Sequence, residues 1–133
     1  MRVLFVCLGN SCRSQMAEGF ARAHGRGVWG ADSAGLMPAT IVAPLTRRVM
    51  EEKNISLEEH FPKGLDEIRL SDYGLVVNMS GYEMPGIVTA PVRTWDVRDP
   101  IGQSEKVYRE VRDEIERLVL GLLSEVRART GAG

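Results

Sequence analysis

The sequence predicts an α/β protein, a parallel β-sheet covered by helices on both faces. Two short apolar runs, Val3-Leu4-Phe5-Val6-Cys7 and Gly74-Leu75-Val76-Val77, are nearly continuous, as in strands buried on both sides. Segments with helical spacing stand between the strand candidates, so strand and helix alternate along the chain. No repeat, low-complexity tract or linker interrupts the 133 residues. That length suits one compact unit, so residues 1–133 are expected to form a single domain.

The first strand spans Arg2 to Cys7. A helix follows from about Arg13 to Ala23, with Met16, Phe20 and Ala23 at helical spacing and Gly25 as its stop. Val28 to Ala34 is a second, less apolar strand. Pro44 opens the next helix at its first turn, where a missing N–H costs nothing. That helix turns Leu45 and Val49 inward and ends near Asn54. Tyr73 to Met79 forms the third strand and Val92 to Trp95 a short fourth. The last helix runs from about Ser104 to Arg129. Val107, Val111, Ile115, Leu118 and Leu122 recur every three or four residues on its inner face, with Glu105/Arg109 and Asp113/Arg117 as ion pairs on its wet side. Gly131-Ala132-Gly133 reads as a frayed tail.

Charge and cysteine usage remove several classes of function. Lys plus Arg number 17 against 18 Asp plus Glu, so no basic field marks a nucleic-acid or anionic-membrane partner. No apolar run approaches the ~20 residues that span a bilayer, and the apolar start meets Gly9 and Asn10 too early for a secretory core. Two cysteines, Cys7 and Cys12, are too few for a disulfide scaffold and lack the paired spacing of a zinc site. The expectation is a cytoplasmic protein with two reduced thiols and no metal.

Parallel sheets carry their sites beyond the carboxyl ends of the strands. Cys7, Met79 to Ser80 and Asp96 to Asp99 all fall there. Cys7-Leu8-Gly9-Asn10-Ser11-Cys12-Arg13-Ser14 joins the first strand to the first helix. A tight turn at that place points successive backbone N–H groups at one spot, next to the positive end of the helix dipole. The loop residues Leu8, Gly9, Asn10, Ser11, Cys12, Arg13 and Ser14 therefore form a candidate anion cradle. Gly9 permits positive φ, and Asn10 tolerates the left-handed region. Cys7 belongs at the floor, where amide dipoles and Arg13 favour a thiolate. Arg13 is placed to grip two oxygens of a tetrahedral anion at once.

This octapeptide with its continuation Gln15-Met16-Ala17-Glu18-Gly19 resembles the low-molecular-weight protein-tyrosine phosphatase superfamily, which also contains arsenate reductases. Asp32-Ser33-Ala34-Gly35 and the distant Asp99-Pro100 extend the resemblance over essentially the whole chain. It implies a three-layer sandwich with a four-stranded parallel sheet, no metal and no organic cofactor. It also implies Cys7 as nucleophile, Arg13 as oxyanion clamp, Asp99 as proton donor, and Asn10, Ser14 and Ser33 as braces of the loop. The chemistry of phosphate-ester cleavage agrees. It requires an ionised nucleophile, donors for the equatorial oxygens and an acid for the leaving group.

The first reading is a hydrolase acting on a phosphorylated protein or small phosphate monoester through a cysteinyl-phosphate. The alternative is an arsenate reductase of the same fold that uses an external small thiol; a non-catalytic oxyanion-binding or partner-docking domain is the third. Family members with a protein thiol relay carry extra cysteines after the third strand, and Ser80 stands at the first such place here. Ser11, Gln15 and Trp95 look reductase-like. Ile101-Gly102 stands where many tyrosine-specific members have aromatic residues. By the same resemblance Cys12 protects Cys7 during oxidation, or is a passive loop thiol, and His60 supports the loop. The remaining expectations are bland: His24 caps a helix or is solvated, Trp95 packs at a strand end, and Arg47-Arg48 and Glu58-Glu59 form solvated faces. Asp96 is a rival acid to Asp99 without a following proline.

Overall fold

The two strands richest in apolar residues are the inner ones, because only there are both faces and both edges covered. In the computed structural model, which describes residues 1–130, β1 (Arg2–Cys7) lies between β2 (Gly30–Gly35) and β3 (Leu75–Asn78), and β4 (Val92–Thr94) pairs with β3. All three pairings are parallel, in register Val3↔Ala31, Val3↔Leu75 and Val76↔Val92. Parallel neighbours require crossover connections. α1 (Arg13–His24) supplies the one between β1 and β2, α2 (Pro44–Glu51) lies in the long stretch before β3, a helix-free loop joins β3 to β4, and α3 (Glu105–Thr130) follows β4.

Alternation along β1 divides the interior in two. Val3, Phe5 and Cys7 join Met16, Phe20, Val49, Met50, Ile115 and Val119 in the larger core, under α1, α2 and α3. Leu4 and Val6 face the other way, with Ala34, Tyr73 and Val76. On that second side the cover is two short 3₁₀ helices, Leu65–Glu67 and Leu70–Asp72, and nearby loops, rather than α-helix. Their three-residue length leaves no periodicity to read, which is why the sequence showed nothing there. Among the described residues no helix is long and apolar enough to cross a membrane.

Element boundaries move by a few residues, for local reasons. β2 starts at Gly30 rather than Val28, because the Val28 and Trp29 N–H groups turn back to the Gly25 carbonyl and Gly27 takes φ 78°. α2 stops at Glu51 rather than near Asn54. Asn54 takes φ 61° and Ile55 N–H returns to Met50 O, closing the helix end. On α3 the Glu105–Arg109 pair forms at 2.6 Å, whereas Asp113 takes Arg112 at 2.9 Å in place of Arg117. Arg47 is not part of a solvated face: it donates to the carbonyls of Leu57 and His60 and ties α2 to the following loop. His24 is held by Glu116 at 3.0 Å. Trp95 packs against Phe5 with ring centroids 5.9 Å apart. The expected frayed tail, Gly131-Ala132-Gly133, lies outside the described residues.

Candidate active site

The loop from Cys7 to Ser14 is shaped from outside, by the segment that follows β2. Carbonyl oxygens of Cys7, Leu8, Gly9 and Ser11 accept hydrogen bonds from the N–H groups of Leu36, Met37, Ala39 and Ala43, at 3.1, 2.8, 2.9 and 3.2 Å. A trans peptide is planar, so each of these units sends the next N–H the opposite way. The N–H groups of Leu8, Gly9, Asn10 and Cys12 therefore face away from the groups that hold those carbonyls. β2 also approaches closely. A Cβ on Gly35 would stand 2.8 Å from Leu8 O and 2.9 Å from Asn10 N, so no larger residue fits beside the loop.

Asn10 is the internal brace. It is fully buried with φ 51°, a region asparagine tolerates. The backbone N–H of Lys63 donates to its Oδ1 at 3.0 Å, which fixes the amide orientation. Nδ2 must then donate, to Ser14 Oγ and to Ser33 Oγ, both at 2.8 Å. Ser33 passes its own proton to Glu18 Oε1 at 2.6 Å. Ser14, already accepting from Asn10, has its hydroxyl proton free for Cys7 Sγ at 2.9 Å. The hydrogen-bond sense along Glu18–Ser33–Asn10–Ser14 is thus set by one backbone N–H. It ends with the Ser14 hydroxyl beside the sulfur, where it can donate to a thiolate.

A second tier surrounds this chain. Gln15 Nε2 donates to Asn10 Oδ1 and to the Asn10 carbonyl, both at 3.2 Å, and Gln15 Oε1 accepts from His60 Nδ1 at 2.8 Å. Burial holds the His60 imidazole below its usual range, against the pull of the Glu18 carboxylate. Glu18 is buried, with Arg22 at 3.0 Å, His60 at 3.7 Å and Lys63 at 3.9 Å around it.

Arg13 is buried at 6% exposure, and its Nη1 donates to two carbonyls, Met79 O at 2.5 Å and Val97 O at 3.1 Å. Those carbonyls follow β3 and β4, so the sheet itself aims the guanidinium. Nη2 lies 3.6 Å from Asp99 Oδ2, and Nε is buried with no hydrogen-bond partner. An unpaired buried N–H on a charged group is costly, so this guanidinium keeps donor capacity that the protein itself does not fill. Asp99 is partly exposed; its Oδ1 accepts the Ile101 N–H at 3.1 Å across the Asp-Pro turn. Asp96 is exposed and does not line the hollow.

Cys7, Arg13 and Asp99 share one cavity of about 300 Å³. Its outer wall is aliphatic: Met37, Ala39 and Ile101, with Met37 72% exposed. Cys12 also lines it, its Sγ 3.7 Å from the Tyr108 hydroxyl of α3. Burial pushes the Cys12 thiol above its ordinary value, although the hydroxyls of Thr46 and Tyr108 pull the other way. Among the described residues no cluster of three or more His, Cys, Asp or Glu side chains is arranged to hold a metal ion.

Cys7, Asn10, Arg13, Ser14 and Asp99 meet here with Ser33 from β2, whereas Asp96 and His24 do not. Sequence reading missed Glu18, Lys63, Tyr108 and the Met79 and Val97 carbonyls. Glu18 had a signal, four residues after Ser14 on one helix face. The others arrive from more than 45 positions away and had none.

Known proteins resemble the chain over most of its length. A family model described as low molecular weight phosphotyrosine protein phosphatase matches residues 2–131. The chain is 36% identical over 129 residues to a glutaredoxin arsenate reductase of Synechocystis sp., covering 94% of this chain and 98% of that protein. A solved arsenate reductase in a phosphate binding state has 35% identity and a TM-score of 0.87, covering 94% of this chain and 98% of the other. The YwlE arginine phosphatase from Geobacillus stearothermophilus has 27% identity and a TM-score of 0.86, covering 96% and 94%.

Proposed function

Because the chain belongs to the low-molecular-weight phosphotyrosine protein phosphatase family, we propose that it works within that family as an arsenate reductase supplied with electrons by an external thiol. The observation that carries this reading is the form of the cavity. A tetrahedral-anion cradle with a spare guanidinium N–H opens through an aliphatic rim that offers no flat wall to an aryl ester. The arsenate reductases among its relatives support the same choice. The whole chain, residues 1–133, is taken as one domain.

In this reading the cradle N–H groups and Arg13 hold arsenate while the Cys7 sulfur attacks arsenic. An S–As bond forms, and one oxygen leaves as water with a proton from Asp99. An external thiolate then attacks the Cys7 sulfur. An S–S bond forms, the S–As bond breaks, and its electron pair stays on arsenic, which falls from As(V) to As(III) and departs as arsenite. A second thiol cleaves the mixed disulfide and restores Cys7, so two thiols supply the two electrons. The thiols come from outside because the only other cysteine is Cys12, inside the loop itself.

Hydrolysis of phosphate monoesters, the first reading of the sequence, becomes the second. Asp99 beside Arg13 and the likeness to an arginine phosphatase favour it. Cys7, Arg13 and Asp99 serve both reactions, with water in place of the thiol in the second half. Measuring both activities on one preparation separates them. Arsenate-dependent oxidation of glutathione with glutaredoxin, or of thioredoxin, is expected. Turnover of an aryl phosphate with no arsenate-dependent thiol oxidation would overturn the reductase assignment.

A further inference from the structure

We propose that Asn78 is a positioning residue for Arg13, acting through a single peptide unit; this rests on the reading of Arg13 as the oxyanion clamp. Asn78 is the last residue of β3, buried, and its side chain folds back over the turn that follows. Oδ1 accepts the Ser80 N–H at 2.9 Å and the Ser80 hydroxyl at 2.6 Å, while Nδ2 donates to Tyr82 O at 2.7 Å. Tyr82 N–H donates to Ser80 Oγ at 3.0 Å, and Gly81 at φ 82° lets the chain double back that tightly.

The peptide plane joining Met79 to Ser80 carries the consequence. Its N–H is held by Asn78, and its carbonyl accepts from Arg13 Nη1. In a trans peptide these two groups point in opposite directions, so holding the N–H on one side aims the carbonyl to the other. On the preceding peptide, Met79 N–H is fixed to Val6 O at 2.7 Å, which leaves the chain no slack before the turn. Asn78 thus decides where the Met79 carbonyl points. That carbonyl, with Val97 O, decides which guanidinium edge is occupied and which is left for a ligand. Without an acceptor at position 78 the 79–80 peptide is free to rotate, and Arg13 loses one of its two anchors. The side chain itself does not line the cavity.

An isosteric pair tests this. Asn78→Val and Asn78→Thr both suit a buried strand end, but only threonine keeps an oxygen that accepts the N–H two residues on. Inorganic phosphate serves as the oxyanion probe, with binding measured calorimetrically alongside the melting temperature of each variant. Asn78→Val is expected to weaken phosphate about tenfold, the scale of one hydrogen bond to a charged group. Asn78→Thr is expected to recover most of that loss at a similar melting temperature. Ser80→Ala, which keeps the N–H, is expected to bind nearly as wild type. Equal phosphate affinity for the valine and threonine variants overturns the proposal. Arg13→Lys is the reference: if it too leaves phosphate affinity unchanged, the clamp reading has failed, whereas a loss there with none in Asn78→Val removes only the role of Asn78. Amide hydrogen exchange on the unmodified protein gives a check that needs no variant to fold. The Ser80 N–H is expected to be protected, and exchange at the rate of an open loop overturns the proposal.

Discussion

Two thiols five positions apart sit in one loop and are given different surroundings. Cys7 stands 2.9 Å from the Ser14 hydroxyl, whereas Cys12 lies beside side chains of α2 and α3 with its thiol pushed upward by burial. In a Cys7→Ser variant, alkylation of Cys12 should therefore be slow at neutral pH. Its rate should still be climbing at about pH 10, where an ordinary exposed thiol with a midpoint near 8.5 has levelled off; a midpoint near pH 8.5 would contradict this environment. The same Cys7→Ser variant is expected to lose arsenate reduction and aryl-phosphate hydrolysis while still binding phosphate, because the cradle donors and Arg13 remain; turnover that survives would remove Cys7 as nucleophile. Arg13→Lys should be severe for affinity, since one ammonium cannot span two carbonyls and an anion as a planar fork does. At this scale the sequence was informative. Cys7, Asn10, Arg13, Ser14, Ser33 and Asp99 were all legible from spacing or resemblance, because residue type carries the chemistry directly.

Strands and loops decide whether those residues meet. The Cys7–Ser14 loop is held by β2 and the segment after it, and Gly35 approaches it closely. Gly35→Ala is expected to cost about 1–3 kcal/mol in stability, the usual range for overpacking, because the atoms it would meet are backbone and not movable side chain. Phosphate affinity should fall with it; denaturant melts and calorimetry on the same variant check both, and a loss of stability alone would mean the loop tolerates the push. Longer elements were readable from periodicity, α3 above all. The two 3₁₀ helices on the second face were not, since one turn of helix has no period.

Across the whole molecule, the end of the sheet opposite the anion loop is closed by charge rather than by packing. Asp32 accepts from Arg2 at 2.5 Å, Tyr73 at 2.8 Å and Arg22 at 2.9 Å, joining β1, β2, α1 and the loop before β3. Burial by itself raises the Asp32 carboxyl, but the Tyr73 and Arg2 hydrogen bonds outweigh it and hold it below the usual range. Burial, aided by the same Asp32 contact, pushes the Tyr73 hydroxyl up to about 12. A depressed carboxyl adds stability above its unfolded value of about 3.9, and that contribution is lost as pH falls toward the folded value. Asp32→Asn should therefore melt lower than wild type at pH 7, with the gap shrinking below about pH 4. A gap that stays constant to pH 3 would assign the loss to shape rather than charge.

The order of strands and helices, the inward-facing apolar stripes and the cysteine–arginine loop were determined by the sequence alone, because each depends on neighbours within a few residues. Pairing across the sheet was decided only in three dimensions. Two carbonyls beyond β3 and β4 aim Arg13, Lys63 sets the amide of Asn10, and Tyr108 shields Cys12. Those partners are brought in by parallel crossovers tens of residues long, and a backbone carbonyl has the same identity at every position, so no local pattern announces them.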